Sequence, residues 1–100
     1  MTTDSIVNLD PTVHSPVRLA VLSILMAVAE ADFAYLKEAT QTTDGNLSTH
    51  LAKLEEKGLI RVRKSFKGKK PRTSCVVTEK GRRAFAEYVK AMEGVLHPKE

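Results

Sequence analysis

The order of apolar and polar positions predicts four helical stretches and one pair of strands. Asp10-Pro11 suits a capped turn over Pro11–Val13, and Ser15-Pro16 repeats that signature at the start of a longer helix reaching to about Glu30. Along this helix Val17, Leu19, Ala20, Val21, Leu22, Ile24, Leu25, Met26, Ala27, Val28 and Ala29 surround the axis instead of forming one stripe. A helix apolar on every side needs cover on more than one. A chain this short supplies little of it, and a second subunit is the natural source. Phe33 is expected to make one strand-like bridge, followed by a short helix over Tyr35–Thr40 with Leu36 and Ala39 inward.

The third helix is expected to start at Thr43 as N-cap, with Asp44 in the first turn, where a negative charge suits the helix dipole. Leu47, Leu51 and Leu54 recur at i, i+4 and i+7, so they form the buried stripe, and Gly58 ends the helix. Asp44, Gly45, Asn46, Ser48, Thr49, His50 and Lys53 are left on or near the outer side. Next, Ile60, Val62, Lys64 and Phe66 alternate with Arg61, Arg63 and Ser65, the pattern of a two-sided strand. Gly68 and Pro71 serve as turn residues, and a return strand over Thr73–Thr78 puts Thr73, Cys75 and Val77 on one face. Thr78 then opens a final helix over 79–97. Its apolar stripe is Phe85, Tyr88, Val89, Met92 and Val95 or Leu96, and His97-Pro98 closes it.

The expected class is α+β, mainly α: one domain over residues 1–100, with 1–9 as a flexible arm. Of 100 residues, 42% are hydrophobic, enough for a core and unlike a disordered chain. The N-terminus lacks the basic and apolar regions of a secretory signal, and Val17–Ala29 is too short to span a bilayer. These features are those expected of a soluble, cytoplasmic protein. A lone Cys75 excludes an internal disulfide and a multi-thiolate metal site within one chain.

Charge changes the picture most. The formal net charge is +4, from 16 basic and 12 acidic residues. Seven of the 16 basic residues (Arg61, Arg63, Lys64, Lys67, Lys69, Lys70 and Arg72) fall within Arg61–Arg72, where there is no acid. The remainder, nine basic against twelve acidic groups, carries a formal −3. An excess confined to one hairpin points to a polyanion, most simply nucleic-acid phosphate. The polar face of Thr43–Lys57, with Asn46, Ser48, Thr49 and His50, can donate to and accept from base edges without blocking close approach.

Three short helices followed by a hairpin with a basic tip is the winged helix-turn-helix order. The segments HSPVRLAVLSIL, TDGNLSTHLAKLEEKGLI and KKPRTSCVVTEKG resemble the small single-domain winged-helix regulators related to the MarR and ArsR types, over roughly residues 9–96. The resemblance implies a homodimeric regulator that binds double-stranded DNA at a pseudo-palindromic site, a repressor by occlusion. Asp44, Gly45, Asn46, Ser48, Thr49, His50 and Lys53 would then lie in the major groove, with Arg61, Arg63, Lys64, Lys67, Lys69, Lys70 and Arg72 as a two-stranded wing. Lys69 or Arg72 would be the minor-groove probe. It also implies that the long first and last helices dimerise, through Val17, Val21, Ile24, Phe85, Tyr88, Val89, Met92 and Leu96. Two departures stand out. The clustered thiolates and His/Asp pairs of metal sensors are missing, so no metal or other cofactor is carried over. Ala34 stands where the family often has Thr or Ser, which leaves the second helix without a side-chain cap.

Blander roles compete with these. The lysine-rich tip could be a solvated hairpin, and His50 a half-buried histidine bonded internally. His14 suits a local cap or an interface position, and Cys75 behaves as a small inward hydrophobe. Nothing marks a small-molecule effector pocket between the long helices. No phosphate loop, nucleophile elbow or His/Glu metal spacing occurs, so an enzyme is not expected. A protein-interaction module and a non-specific architectural DNA binder remain the alternatives.

Overall fold

The computed structural model describes residues 8–98, so the expected arm over 1–9 lies almost wholly outside the described residues. Its elements are α1 (Pro16–Ala27), β1 (Ala31–Asp32), α2 (Phe33–Thr40), α3 (Asp44–Glu56), β2 (Ile60–Lys67), β3 (Lys70–Val77) and α4 (Glu79–Leu96). The architecture is the α+β winged helix, with four helices and a three-stranded antiparallel sheet of order β1-β3-β2 among the described residues.

Each helix start has a side-chain acceptor for an otherwise unpaired backbone N–H. Ser15, Asp32, Thr43 and Thr78 accept from the backbone N–H groups of Arg18, Tyr35, Asn46 and Gly81 respectively. Asp10 does the same for the preceding turn, its carboxylate accepting from the Thr12 N–H at 2.9 Å. The Asp32 cap corrects the expectation of an uncapped second helix: the capping position precedes Phe33, so Ala34 is already inside the helix.

Three boundaries and one inward position also change. The first helix stops at Ala27, short of Glu30, because Val28 is already extended. The strand bridge falls on Ala31 and Asp32, which pair with Cys75 and Ser74, and not on Phe33. Ala39 is exposed, leaving Leu36 as the buried residue of α2. Pro71 belongs to β3, opposite Phe66, and the hairpin turns on Gly68-Lys69 alone. Gly68 has φ 66°, while Lys69 is not among the positive-φ residues, the pattern of a type II′ turn with glycine first.

The core gathers Val13, Val21, Leu22, Leu25, Leu36, Leu47, Leu51, Leu54, Leu59, Ile60, Cys75 and Tyr88. Burial of one such aliphatic side chain contributes about 1.5–3 kcal/mol. The predicted leucine stripe of α3 is therefore what seats that helix on α1, and its opposite face is turned out by the same packing. Gly58, at φ 76°, reverses the chain out of α3 directly into β2.

Candidate nucleic-acid interface

The candidate site is the outer face of α3 together with the β2–β3 hairpin. Thr43 fixes the start of α3, its hydroxyl oxygen accepting from the Asn46 N–H at 3.1 Å. The chain enters α3 through Gln41, a non-glycine residue at φ 55° that ends α2 and gives N–H bonds to the Glu38 and Lys37 carbonyls. Lys37 also reaches forward to Asp44 at 2.8 Å, tying α2 to the first turn of α3.

Asp44, Gly45, Asn46, Ser48, Thr49 and Lys53 are all exposed. Gly45 has open space where a Cβ would stand. The Thr49 hydroxyl donates to the Gly45 carbonyl at 3.0 Å, which leaves its oxygen as an acceptor. Lys53 lies 3.9 Å from Glu56, a loose contact between exposed groups.

His50 is half-buried, and its Nδ1 sits 3.0 Å from an Arg18 guanidinium nitrogen. Since Arg18 can only donate, His50 accepts at Nδ1 and is neutral. Burial first, then the Arg18 charge, holds its pKa below the usual 6.5. The same Arg18 donates to the Thr12 carbonyl at 2.6 Å and the Pro11 carbonyl at 3.3 Å. The ring is thus a joint between α1 and α3, the internally bonded role weighed for it above. Arg18 was missed as a site residue. Its signal was an arginine inside an apolar helix, which must find a partner if it is to be partly buried.

In the hairpin, Arg61, Arg63, Lys64, Lys67, Lys69 and Lys70 are exposed, and among the described residues none of them takes part in an ion pair. Arg72 differs. It is half-buried, with its Nε 4.0 Å from Asp32, opposite Ser65 and two residue pairs back from the Lys67–Lys70 pair that closes the turn. That placement takes Arg72 from the tip, where Lys69 remains. Glu55 was also missed: its carboxylate accepts from the Val62 N–H at 2.9 Å, fastening the edge strand β2 to α3. A cleft of about 510 Å³ separates the two elements, with Asp44, Ser48 and Ala52 of α3 on one wall and Val62, Lys64 and Thr73 of the hairpin on the other.

Away from these residues, α1 and α4 form an apolar groove of about 330 Å³ whose lining includes Leu19, Phe85, Val89, Met92 and Leu96. Val17, Ile24, Phe85 and Met92 are partly buried, while Val89 and Leu96 are exposed. One position expected at a dimer contact is corrected: Val21 is 0% exposed and is spent inside the protomer, whereas Tyr88, 5% exposed, is among the residues lining the groove. The Tyr88 hydroxyl bonds His14 Nδ1 at 2.8 Å, tying α4 to the N-terminal turn.

Cys75 is fully buried, and burial, reinforced by Glu55 and Glu30, pushes its thiol pKa up to about 11. It stays protonated at neutral pH and offers no thiolate. Among the described residues there is no cluster of His, Cys, Asp and Glu suited to a metal, and no helix is long and apolar enough to cross a membrane.

Residues 17–96 match the family model described as a winged helix DNA-binding domain. The chain is 42% identical over 76 residues to an uncharacterized protein of Methanocaldococcus jannaschii, covering 76% of this chain and 83% of that one. It superposes on a transcriptional regulator homologue of Pyrococcus horikoshii with a TM-score of 0.79 and 27% identity, covering 85% of this chain and 84% of the other. The fold alone is shared with a Mycobacterium tuberculosis transcriptional regulator solved in complex with DNA. There the TM-score is 0.69 and the identity 20%, over 86% of this chain and 61% of that one. MarR-family and ArsR-family regulators superpose as well, at TM-scores of 0.66 and 0.58.

Proposed function

The chain belongs to the winged helix DNA-binding domain family, and from that premise we propose that it is a homodimeric, sequence-specific regulator of transcription that represses by occluding its site. One observation carries the reading: α3 turns Asn46, Ser48 and Thr49 outward beside a hairpin bearing six exposed cations. A helix with small polar side chains fits the major groove, and base edges there are read by such donors and acceptors. The cations Arg61, Arg63, Lys64, Lys67, Lys69 and Lys70 neutralise phosphate and release its counterions. Lys69, at the turn, would reach the phosphates that border the minor groove.

Dimerisation rests on the α1–α4 groove. Leu96 is 64% exposed and Val89 37% exposed on an 18-residue helix, and a second copy of the same groove would cover both. With two-fold symmetry the two α3 helices would meet half-sites about one helical turn apart. Selection from a random duplex pool tests the reading. Enrichment of a pseudo-palindrome, with a dimer by light scattering and a monomer for Leu96→Glu, is the expected result. Enrichment of nothing, with duplex binding intact, would leave a non-specific architectural binder.

A further inference from the structure

Phe66 is 73% exposed, the most exposed of the large hydrophobic side chains among the described residues. Single exposed apolar residues are ordinary on a protein surface, but Phe66 is not single. Directly across the hairpin stands Pro71, also exposed. At Pro71, β3 has β2 on one side only, since β1 ends at the Asp32–Ser74 pair. This is the edge-like setting in which a strand accepts proline. Cross-strand partners share a face, and side chains alternate along a strand. Phe66 and Pro71 therefore continue the face of Lys64 and Thr73, the one that lines the cleft toward α3. Beyond them come Lys67, Lys69 and Lys70, with no acid between Arg61 and Arg72.

We infer that the Phe66–Pro71 pair is an apolar wedge that enters a base step in the minor groove beside the site read by α3, while the surrounding lysines hold the flanking phosphates. This rests on the DNA-binding reading above and deepens it. The chemistry is complementary. Unstacking one step costs a few kcal/mol and is offset by apolar contact and by the phosphate contacts that bending permits. The cost is lowest at flexible pyrimidine–purine steps, so the wedge adds a sequence preference at a position no hydrogen bond reads. The lysines favour an anionic partner over a neutral protein surface, and the outward polar face of α3 beside them favours duplex DNA.

The test compares the full-length protein with Phe66→Ser and Phe66→Leu, both at an exposed position where folding is indifferent. End-labelled mixed-sequence duplexes of about 30 base pairs report bending by energy transfer, and anisotropy reports affinity against salt. The expected result is that the parent protein shortens the end-to-end distance and favours a pyrimidine–purine step over a stiff A-tract by about tenfold. Phe66→Ser keeps the salt slope but loses bending and step preference, whereas Phe66→Leu keeps both. Bending by Phe66→Ser equal to that of the parent overturns the wedge and leaves DNA binding standing. A parent protein that binds no duplex at low salt overturns the DNA-binding reading itself, and the wedge with it.

Discussion

The first turns of α3 and α4 are built alike and end up serving different purposes. Each has a threonine N-cap, an acidic first residue and a glycine within the first turn: Thr43-Asp44-Gly45-Asn46 and Thr78-Glu79-Lys80-Gly81. Each threonine accepts from the N–H three residues on, at 3.1 and 3.0 Å. The glycines part company. A Cβ on Gly81 would stand 2.0 Å from the Leu59 carbonyl oxygen, so the backbone of the α3–β2 connection fills its place. A Cβ on Gly45 would meet nothing within 4 Å. Glycine inside a helix costs about 0.5–1 kcal/mol relative to alanine. At Gly81 the chain's own packing explains that cost. At Gly45 nothing among the described residues does, which is what a helix keeping its surface clear for close approach by a partner would show.

The sharpest way to break this contrast is to put alanine at both places. Gly81→Ala should destabilise the fold by about 1–3 kcal/mol or more, as overpacking against backbone does, seen as a lower denaturation midpoint. Asn46→Ala, next to the open glycine, should leave stability alone and cost about 1–3 kcal/mol on the selected site only. An equal loss on random duplex would deny it a role in reading sequence. Gly45→Ala should stabilise the fold by about 0.5–1 kcal/mol while weakening duplex affinity. Higher stability with unchanged affinity would remove the functional explanation for Gly45.

The smallest effect concerns the seam between α1 and α3. His50 resists protonation in the fold, because its pKa lies below the ordinary 6.5. Its contribution is therefore whole above the unfolded value and is lost as pH falls through the lowered one. Acidification from about pH 7.5 to about pH 5 should lower the melting temperature of the parent more than that of His50→Gln, which keeps an acceptor for Arg18 and does not titrate. Equal shifts would show that the Arg18–His50 contact does not carry the dependence.

Much of the fold was legible in periodicity and punctuation. The leucine stripe of α3, the threonine caps, the glycine after α3 and the proline after α1's cap each act within a few residues, where local chemistry decides. What could not be read depends on contacts far apart in the chain. Phe66 alternates like a core residue, yet the hairpin runs past the body of the protein and leaves it in water. Val21 and Tyr88 sit on apolar stripes like Val89 and Leu96, and only the packing of α1 on α4 tells the covered from the uncovered. Arg18 stood out only as an arginine inside an apolar helix, and Glu55 not at all, and neither position names the group it bonds. Their partners, His50 and the Val62 N–H, lie 32 and seven residues away.

The most direct test is the affinity of the purified protein for a mixed-sequence duplex, measured by anisotropy across salt concentrations. A wing that binds phosphate predicts a log–log slope of about −0.9 for each phosphate neutralised, corresponding to several phosphates. Lys69→Ala with Lys70→Ala should flatten it by about two such contacts. Absence of binding at low salt, or a slope that the double substitution leaves unchanged, would contradict the assignment of the wing to DNA.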